Sequence, residues 1–212
     1  MTSLEKITGN PLTESVLTLI GASSGMPVAA LLPVLSNSLA NTRHKQRIEA
    51  ALIEVNEILT SHEDKIKNLT DDQYKLINET VLSFFNTTCA TKINYLKSVI
   101  KNTLISDVVI AEDGVVLSRV IRDISADEIL FLLKNFSYKG VVLCERESVS
   151  DYGDYDNYFP EFLKLKPSSK EELTCRSLSS LGLLASNGLT AMGDINWRFT
   201  SLVAKLIVLL KD

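Results

Sequence analysis

The 212-residue chain is poor in the side chains that hold metals or build disulfide frameworks. Its two histidines, His44 and His62, have no acidic or cysteine partners at ligand spacing. The three cysteines, Cys89, Cys144 and Cys175, are widely spaced and form no Cys-x-x-Cys pair. An odd, dispersed set of this kind predicts reduced thiols and neither a zinc site nor a disulfide framework. We therefore expect no metal.

Positive charge is also scarce, because 22 lysines and arginines face 26 aspartates and glutamates, for a net charge of −4. A general nucleic-acid coat needs a basic excess to displace counterions from phosphates, so the composition disfavours that class. Residues 1–15 contain Glu5 and Glu14 and lack the basic start and small-residue cleavage site of a secretory signal. We therefore expect a cytoplasmic protein with reduced thiols.

Charge is absent altogether from residues 15–42. This length exceeds the roughly 20 apolar residues that cross a bilayer core, but Pro27 and Pro33 each remove a backbone donor. Two alternatives follow: other protein covers the segment, or residues 16–40 insert into the inner face of a membrane. If the segment inserts, the basic cluster that follows it would contact anionic lipid or phosphate. Otherwise, we interpret the cluster as a solvated helix face. This basic cluster comprises Arg43, His44, Lys45 and Arg47.

Within the uncharged segment, residues 18–28 read TLIGASSGMPV, which is similar to the phosphate-binding turn TGASSGIG of short-chain dehydrogenases. Gly21 and Gly25 match two glycines of that turn, but Pro27 stands at the third and lacks the N–H that a phosphate would use. The repeated strand-helix units of a doubly wound sheet are missing as well. We therefore expect no nucleotide cofactor, and interpret the glycines as a helix break or a close-packing pair.

Helical periodicity begins after the basic cluster and continues to about residue 105. A second helix is predicted from Asp71 to about Leu104, opened by a capping box of Thr70 and Gln73. Neither helix can bury its apolar face alone, so we expect an antiparallel hairpin or bundle. The first helix carries a stripe that we take as a candidate helix-packing interface: Ile48, Leu52, Val55, Leu59 and Ile66.

The C-terminal half combines shorter helices with strands. Helices are predicted near residues 115–123 and after a capping box of Ser125 and Glu128, followed by a strand at residues 141–144. Residues 146–160 are acidic and rich in tyrosine and serine, which predicts a long surface loop.

Another helix is expected after Pro167, with Gly182 positioned to end it. The pair Asn187-Gly188 predicts a turn between two strands, the second ending at residues 195–200. Thr200 is expected to cap a final apolar helix that runs through Leu210.

The order helix, helix, SLSSLGLLASNG, hairpin, WRFT, helix resembles the winged-helix-like modules that end many bacterial helical proteins. The resemblance covers residues 125–212, and a looser one links residues 87–104 and 124–133 to small helical proteins of phage-defence or other accessory loci. It implies an adaptor, regulator or defence effector and brings no catalytic residues. The residues that carry it are Leu178, Leu181, Gly182, Leu183, Leu184, Phe199 and Thr200.

A nucleic-acid hypothesis follows from the same module, because its recognition helix would run from Lys170 to Leu181. Glu171 and Glu172 offset the positive charge there, so few phosphate contacts can form and a protein partner is favoured. The candidate nucleic-acid contacts are Lys164, Lys166, Lys170 and Arg176.

The sequence thus predicts a mainly α protein in two parts. Residues 1–105 form a helical domain with long helices, and residues 106–212 form a small winged-helix-like α+β domain. The expected function is that of a non-enzymatic interaction or adaptor protein, with a protein partner or a second copy of itself. The alternatives are a membrane-associated effector that inserts residues 16–40, and a winged-helix DNA-binding regulator.

Overall fold

A computed structural model describes residues 42–106, 113–143, 161–189 and 195–211. Within these ranges the chain forms eight helices and one four-stranded sheet, so the mainly helical prediction is confirmed. The described residues divide into two compact units. A helical unit takes the residues up to Arg122 together with Leu209–Lys211, and a mixed unit takes Asp123–Val208.

The described residues of the helical unit form five helices. They are α1 (Thr42–Ser61), α2 (Glu63–Ile66), α3 (Asp71–Asn86), α4 (Ala90–Ile105) and α5 (Gly114–Asp123). Within this unit, the largest fully buried side chains come from α3, α4 and α5, which form its core. They are Leu76, Phe84, Leu96, Ile100, Leu104, Leu117 and Ile121.

Helices α1 and α4 run in the same direction. The Arg47 guanidinium, near the start of α1, donates to the Thr88 carbonyl just before α4 at 3.2 Å. About two helical turns further along both helices, the Lys97 ammonium bonds the Glu54 carboxylate. Both partners advance together along their helices, which defines a parallel pair.

Helix α3 runs antiparallel to α4, because the Gln73 amide at its start donates to the Thr103 carbonyl near the end of α4 at 3.3 Å. At the other end, the buried Lys92 donates to the Arg122 carbonyl of α5 at 2.9 Å. Where α5 begins, a Cβ on Gly114 would lie 2.6 Å from the Asp72 side chain. Only glycine fits that approach, which fixes the start of α5 beside the start of α3.

The prediction of one helix from Asp71 to Leu104 is wrong, because the chain breaks at residues 87–89. Thr87 and Cys89 have extended backbones, with φ/ψ of −116/132° and −83/113°. The Thr87 hydroxyl accepts from the Cys89 N–H at 3.3 Å, an alternative to helical bonding that threonine offers readily. Apolar periodicity persists across the break because α3 and α4 bury their faces in the same core.

Both predicted capping boxes are confirmed. The Thr70 hydroxyl accepts from the Gln73 N–H at 3.3 Å while the Gln73 side chain accepts from the Thr70 N–H at 3.0 Å. Ser125 and Glu128 make the same reciprocal pair at the next capped helix. Each box satisfies backbone donors that a helix start leaves unpaired.

The mixed unit begins with α6 (Ala126–Asn135) and contains α7 (Lys170–Ser180) and most of α8 (Ser201–Leu210). Its strands are β1 (Gly140–Leu143), β2 (Phe162–Leu165), β3 (Leu184–Leu189) and β4 (Ile195–Phe199), in the spatial order β2-β1-β4-β3.

Strand β1 pairs in parallel with β2 and antiparallel with β4, and β4 pairs antiparallel with β3. At Gly140 the backbone of β1 lies very close to β4, since a Cβ there would lie 2.1 Å from the Trp197 carbonyl oxygen. The residue must therefore lack a side chain for β1 to join β4.

Strand β1 lies within one residue of its predicted position, but two features of the sheet were not predicted correctly. The pair Asn187-Gly188 makes no turn, because β3 continues through Leu189, which pairs with Ile195. A register shift between Ser186 and Leu189 accommodates the glycine within the strand. Strand β2 was missed entirely, and the predicted loop at residues 146–160 lies outside the described residues.

Helix α7 begins and ends as its sequence predicts. The Ser169 hydroxyl accepts from the Glu172 N–H at 3.2 Å, and Gly182 ends the helix with φ of +75°. The Leu183 N–H then donates to the Leu178 carbonyl at 2.9 Å, which completes a Schellman motif. Thr200 precedes α8, and its hydroxyl donates to the Gly182 carbonyl at 2.9 Å.

We expect Glu172→Gln to make the stability of the protein less sensitive to acid. The Ser168 N–H, at 2.6 Å, and then the Arg176 guanidinium hold the pKa of the Glu172 carboxyl below its ordinary value. Because the folded pKa is lowered, this stabilisation is present above the unfolded pKa and is lost as pH falls through the folded pKa. Thermal unfolding between neutral and acid pH should show a shallower slope for Glu172→Gln than for Glu171→Gln, which changes an exposed neighbour. Equal slopes would contradict this expectation.

We also expect the described cysteines to differ sharply in reactivity. Burial on the inner face of α7 raises the pKa of the Cys175 thiol to about 12, whereas Cys89 is exposed. The thiolate is the reactive form, so alkylation of the native protein, followed peptide by peptide, should modify Cys89 and spare Cys175. Cys175 should react only when denaturant unfolds the mixed unit; equal rates in the native protein would show that α7 does not pack as described.

Candidate functional site

The predicted helix-packing stripe lies inside the helical unit. Ile48, Val55 and Leu59 are buried, and Leu52 and Ile66 are half-buried. Helix α1 packs against α3 and α4, and α2 packs against α1 and α4. The buried part of the stripe is therefore already covered by neighbouring helices of the same chain.

The basic cluster lies in the first turns of α1, and the structure describes one of its side chains. Arg47 is exposed and bonds the Thr88 carbonyl, while the side chains of Arg43, His44 and Lys45 lie outside the described residues. The segment 15–41 and its glycine motif also lie outside. Among the helices that the structure describes, none is both long enough and apolar enough to cross a membrane.

The candidate nucleic-acid contacts on α7 are paired with carboxylates. The Lys170 ammonium lies 2.8 Å from the Asp127 carboxylate of α6, and this hydrogen bond raises the pKa of Lys170. The Arg176 guanidinium lies 2.6 Å from the nearly buried Glu172 carboxylate. A phosphate would have to compete with these carboxylates for both cations.

The other two candidate nucleic-acid contacts, Lys164 and Lys166, do not lie on one helix face with Lys170 and Arg176. Lys164 is half-buried within β2, and Lys166 is exposed directly after that strand. The four predicted cations are thus split between a helix and an edge strand, rather than forming a single basic stripe along a recognition helix.

A feature that the sequence analysis missed is a pair of exposed leucines on α6 and α7. Leu173 is 67% exposed, the highest value among the large apolar side chains of the described residues, and Leu130 is 48% exposed. Leu173 lies three residues after Lys170, and Leu130 lies three residues after Asp127. Residues three apart share a helix face, so each leucine lies one turn beyond one end of the Asp127–Lys170 ion pair. We call these four residues the leucine patch.

Helix geometry explains why Leu173 points outward. Cys175 and Leu178 are fully buried and lie three residues apart, so they define the inward stripe of α7. At about 100° per residue, Leu173 is rotated by roughly 200° from Cys175. The sequence already contained this signal, because Leu173 is an apolar residue on the side of the helix opposite its apolar stripe.

The exposure of Leu130 could not be predicted from the sequence because its neighbours are also apolar. It lies in the run ILFLL, in which Ile129 and Leu132 are buried. A continuous apolar run has no polar side to mark its outer face, so periodicity alone does not assign Leu130 to solvent.

The outer face of α7 carries no excess of positive charge. Lys170 and Arg176 are matched by Asp127 and Glu172, and Glu171 is exposed as well. A surface with no excess of positive charge offers little to hold a polyanion.

A second feature is a groove of about 340 Å³ between α1 and α4. An ion pair in the groove joins Lys97 and Glu54, so the charge of Lys97 is already matched there. No group of three histidine, cysteine or carboxylate side chains that could hold a metal ion occurs in the described part of the chain. The groove is lined by Glu54, Ile58, Asn94, Tyr95, Lys97, Ser98 and Lys101.

No protein-family model matches the chain, and comparisons with curated proteins and with solved structures also find no match.

Proposed function

We propose that this chain is a non-enzymatic interaction protein, an adaptor or regulator of the kind found in bacterial defence or accessory loci. The observation that carries the proposal is the leucine patch, where Leu130 and Leu173 are exposed beside one ion pair that bridges two helices. Single exposed leucines are ordinary on protein surfaces, but two beside a shared ion pair resemble the apolar centre and polar rim of an interface.

The apolar side chains of the patch can make a useful contribution to affinity. Together, the exposed fractions of Leu130 and Leu173 amount to somewhat more than one whole leucine. Covering that surface is worth about 2 kcal/mol, or roughly 30-fold in a dissociation constant. A free energy of this size suits a reversible contact, and both leucines are exposed without any rearrangement of the fold.

We also propose that the mixed unit is a winged-helix-like module. The order α6, β1, α7 and then the β3–β4 hairpin, with β4 beside β1, supports this, whereas the parallel strand β2 is an addition that the resemblance does not include. Helix α7 would then occupy the position of the recognition helix. Its outward Leu173 and its ion-paired Lys170 and Arg176 favour a protein partner over DNA.

The proposal predicts that a photo-crosslinking residue placed at position 173 will form a covalent adduct with another protein, and that the same residue placed at position 75 will not. Leu173 lies at the centre of the proposed contact, whereas Lys75 is an exposed polar position on α3. The full chain would be expressed in cells of its source organism, irradiated and analysed for discrete adducts. Equal capture at both positions, or none at position 173, would contradict the proposed interface.

A further inference from the structure

We propose that the partner of the leucine patch is a second copy of this chain, packed against the first about a two-fold axis. The inference rests on the proposed function, since it names the occupant of the same surface. Two-fold dimers are the commonest soluble assemblies, and their interfaces place the same patch on both sides.

The charges of the patch are the main argument for a second copy. Asp127 and Lys170 lie side by side on neighbouring helices, and their side chains are 65% and 78% exposed. A two-fold contact brings residue i of one copy against residue j of the other and repeats the pairing in reverse. Asp127 of each copy can therefore face Lys170 of the other, so the patch is complementary to itself.

A partner surface of one sign would match the patch less well. An acidic surface would attract Lys170 but repel Asp127, and a basic surface would do the reverse. Leu130 and Leu173 require an apolar centre opposite them, which a second patch supplies. A second copy thus meets both the charge pattern and the apolar pattern of the surface.

The size of the helix pair predicts a weak dimer. Helices α6 and α7 have 10 and 11 residues, so each is about 15 Å long at 1.5 Å per residue. Two such helices at an ordinary packing distance offer a face of roughly 300 Å² in projection. The two copies together would cover about 600 Å², below the roughly 1,200 Å² at which stable interfaces begin, so the contact belongs with weak, transient assemblies and we expect a dissociation constant on the order of 100 µM.

Sedimentation of the full chain should therefore show a mass that rises with concentration. Between about 1 and about 200 µM the 23.4 kDa chain should shift from monomer towards dimer. Leu173→Asp should weaken dimerisation at least tenfold, because it places a charge at the apolar centre. Ile53→Asp changes a partly exposed apolar residue of the helical unit, and should leave the wild-type behaviour intact.

A mixing experiment tests whether Asp127 and Lys170 pair between two copies, independently of the ion pair that they form within one copy. Asp127→Lys gives the patch two positive side chains, and Lys170→Asp gives it two negative ones. Each variant alone should remain monomeric, because its copies repel one another. An equimolar mixture should form a heterodimer at least as readily as the wild type dimerises, although neither variant contains the internal pair. Circular dichroism would check that every variant is folded.

A wild-type chain that stays monomeric at about 200 µM would overturn the inference. A mixture of the two charge variants that stays monomeric would overturn it equally. If position 173 nevertheless captures a different protein in cells, the proposed interaction function stands and only the identity of its partner is wrong. If position 173 captures nothing and the chain is monomeric, both proposals fail.

Discussion

The inward face of α7 is the constraint on which the rest of this account depends. Cys175 and Leu178 are fully buried, and the nearly buried Glu172 carboxylate accepts bonds from the Ser168 N–H and the Arg176 guanidinium. With this face of α7 turned inward, Leu173, about 200° round the helix from Cys175, points away from the unit. The exposure of that leucine is thus a consequence of packing in the core rather than an accident of a mobile surface residue.

The same packing decides what the charged residues near α7 can do. Once Glu172 is fixed, Arg176 has a carboxylate within 2.6 Å, and Lys170 has Asp127 within 2.8 Å. In the helical unit, Lys97 and Arg47 are likewise bonded within the unit, to Glu54 and to the backbone. Lysine and arginine side chains that are bonded within the chain offer little to a polyanion, which is one reason that we propose a protein partner for this surface.

Local signals in the sequence were sufficient to predict several helix ends, because capping residues act within a few residues of the end. The Thr70 and Ser125 boxes and the Gly182 stop are of this kind. The break at residues 87–89, the continuation of β3 and the existence of β2 depend on partners far along the chain, and apolar periodicity does not reveal those. For the site, the charges on α7 were identified from the sequence, but the exposure of Leu130 and the pairing of Lys170 with Asp127 required the three-dimensional packing.

Methyl NMR of the leucines during dilution of the full chain tests the central claim most directly. The account predicts that the Leu130 and Leu173 methyl resonances shift together as the protein is diluted through the micromolar range, because a second copy leaves them. The methyls of buried Leu76 should not move. Leu130 and Leu173 resonances that are unchanged across the whole range would contradict the claim that a second copy covers this patch.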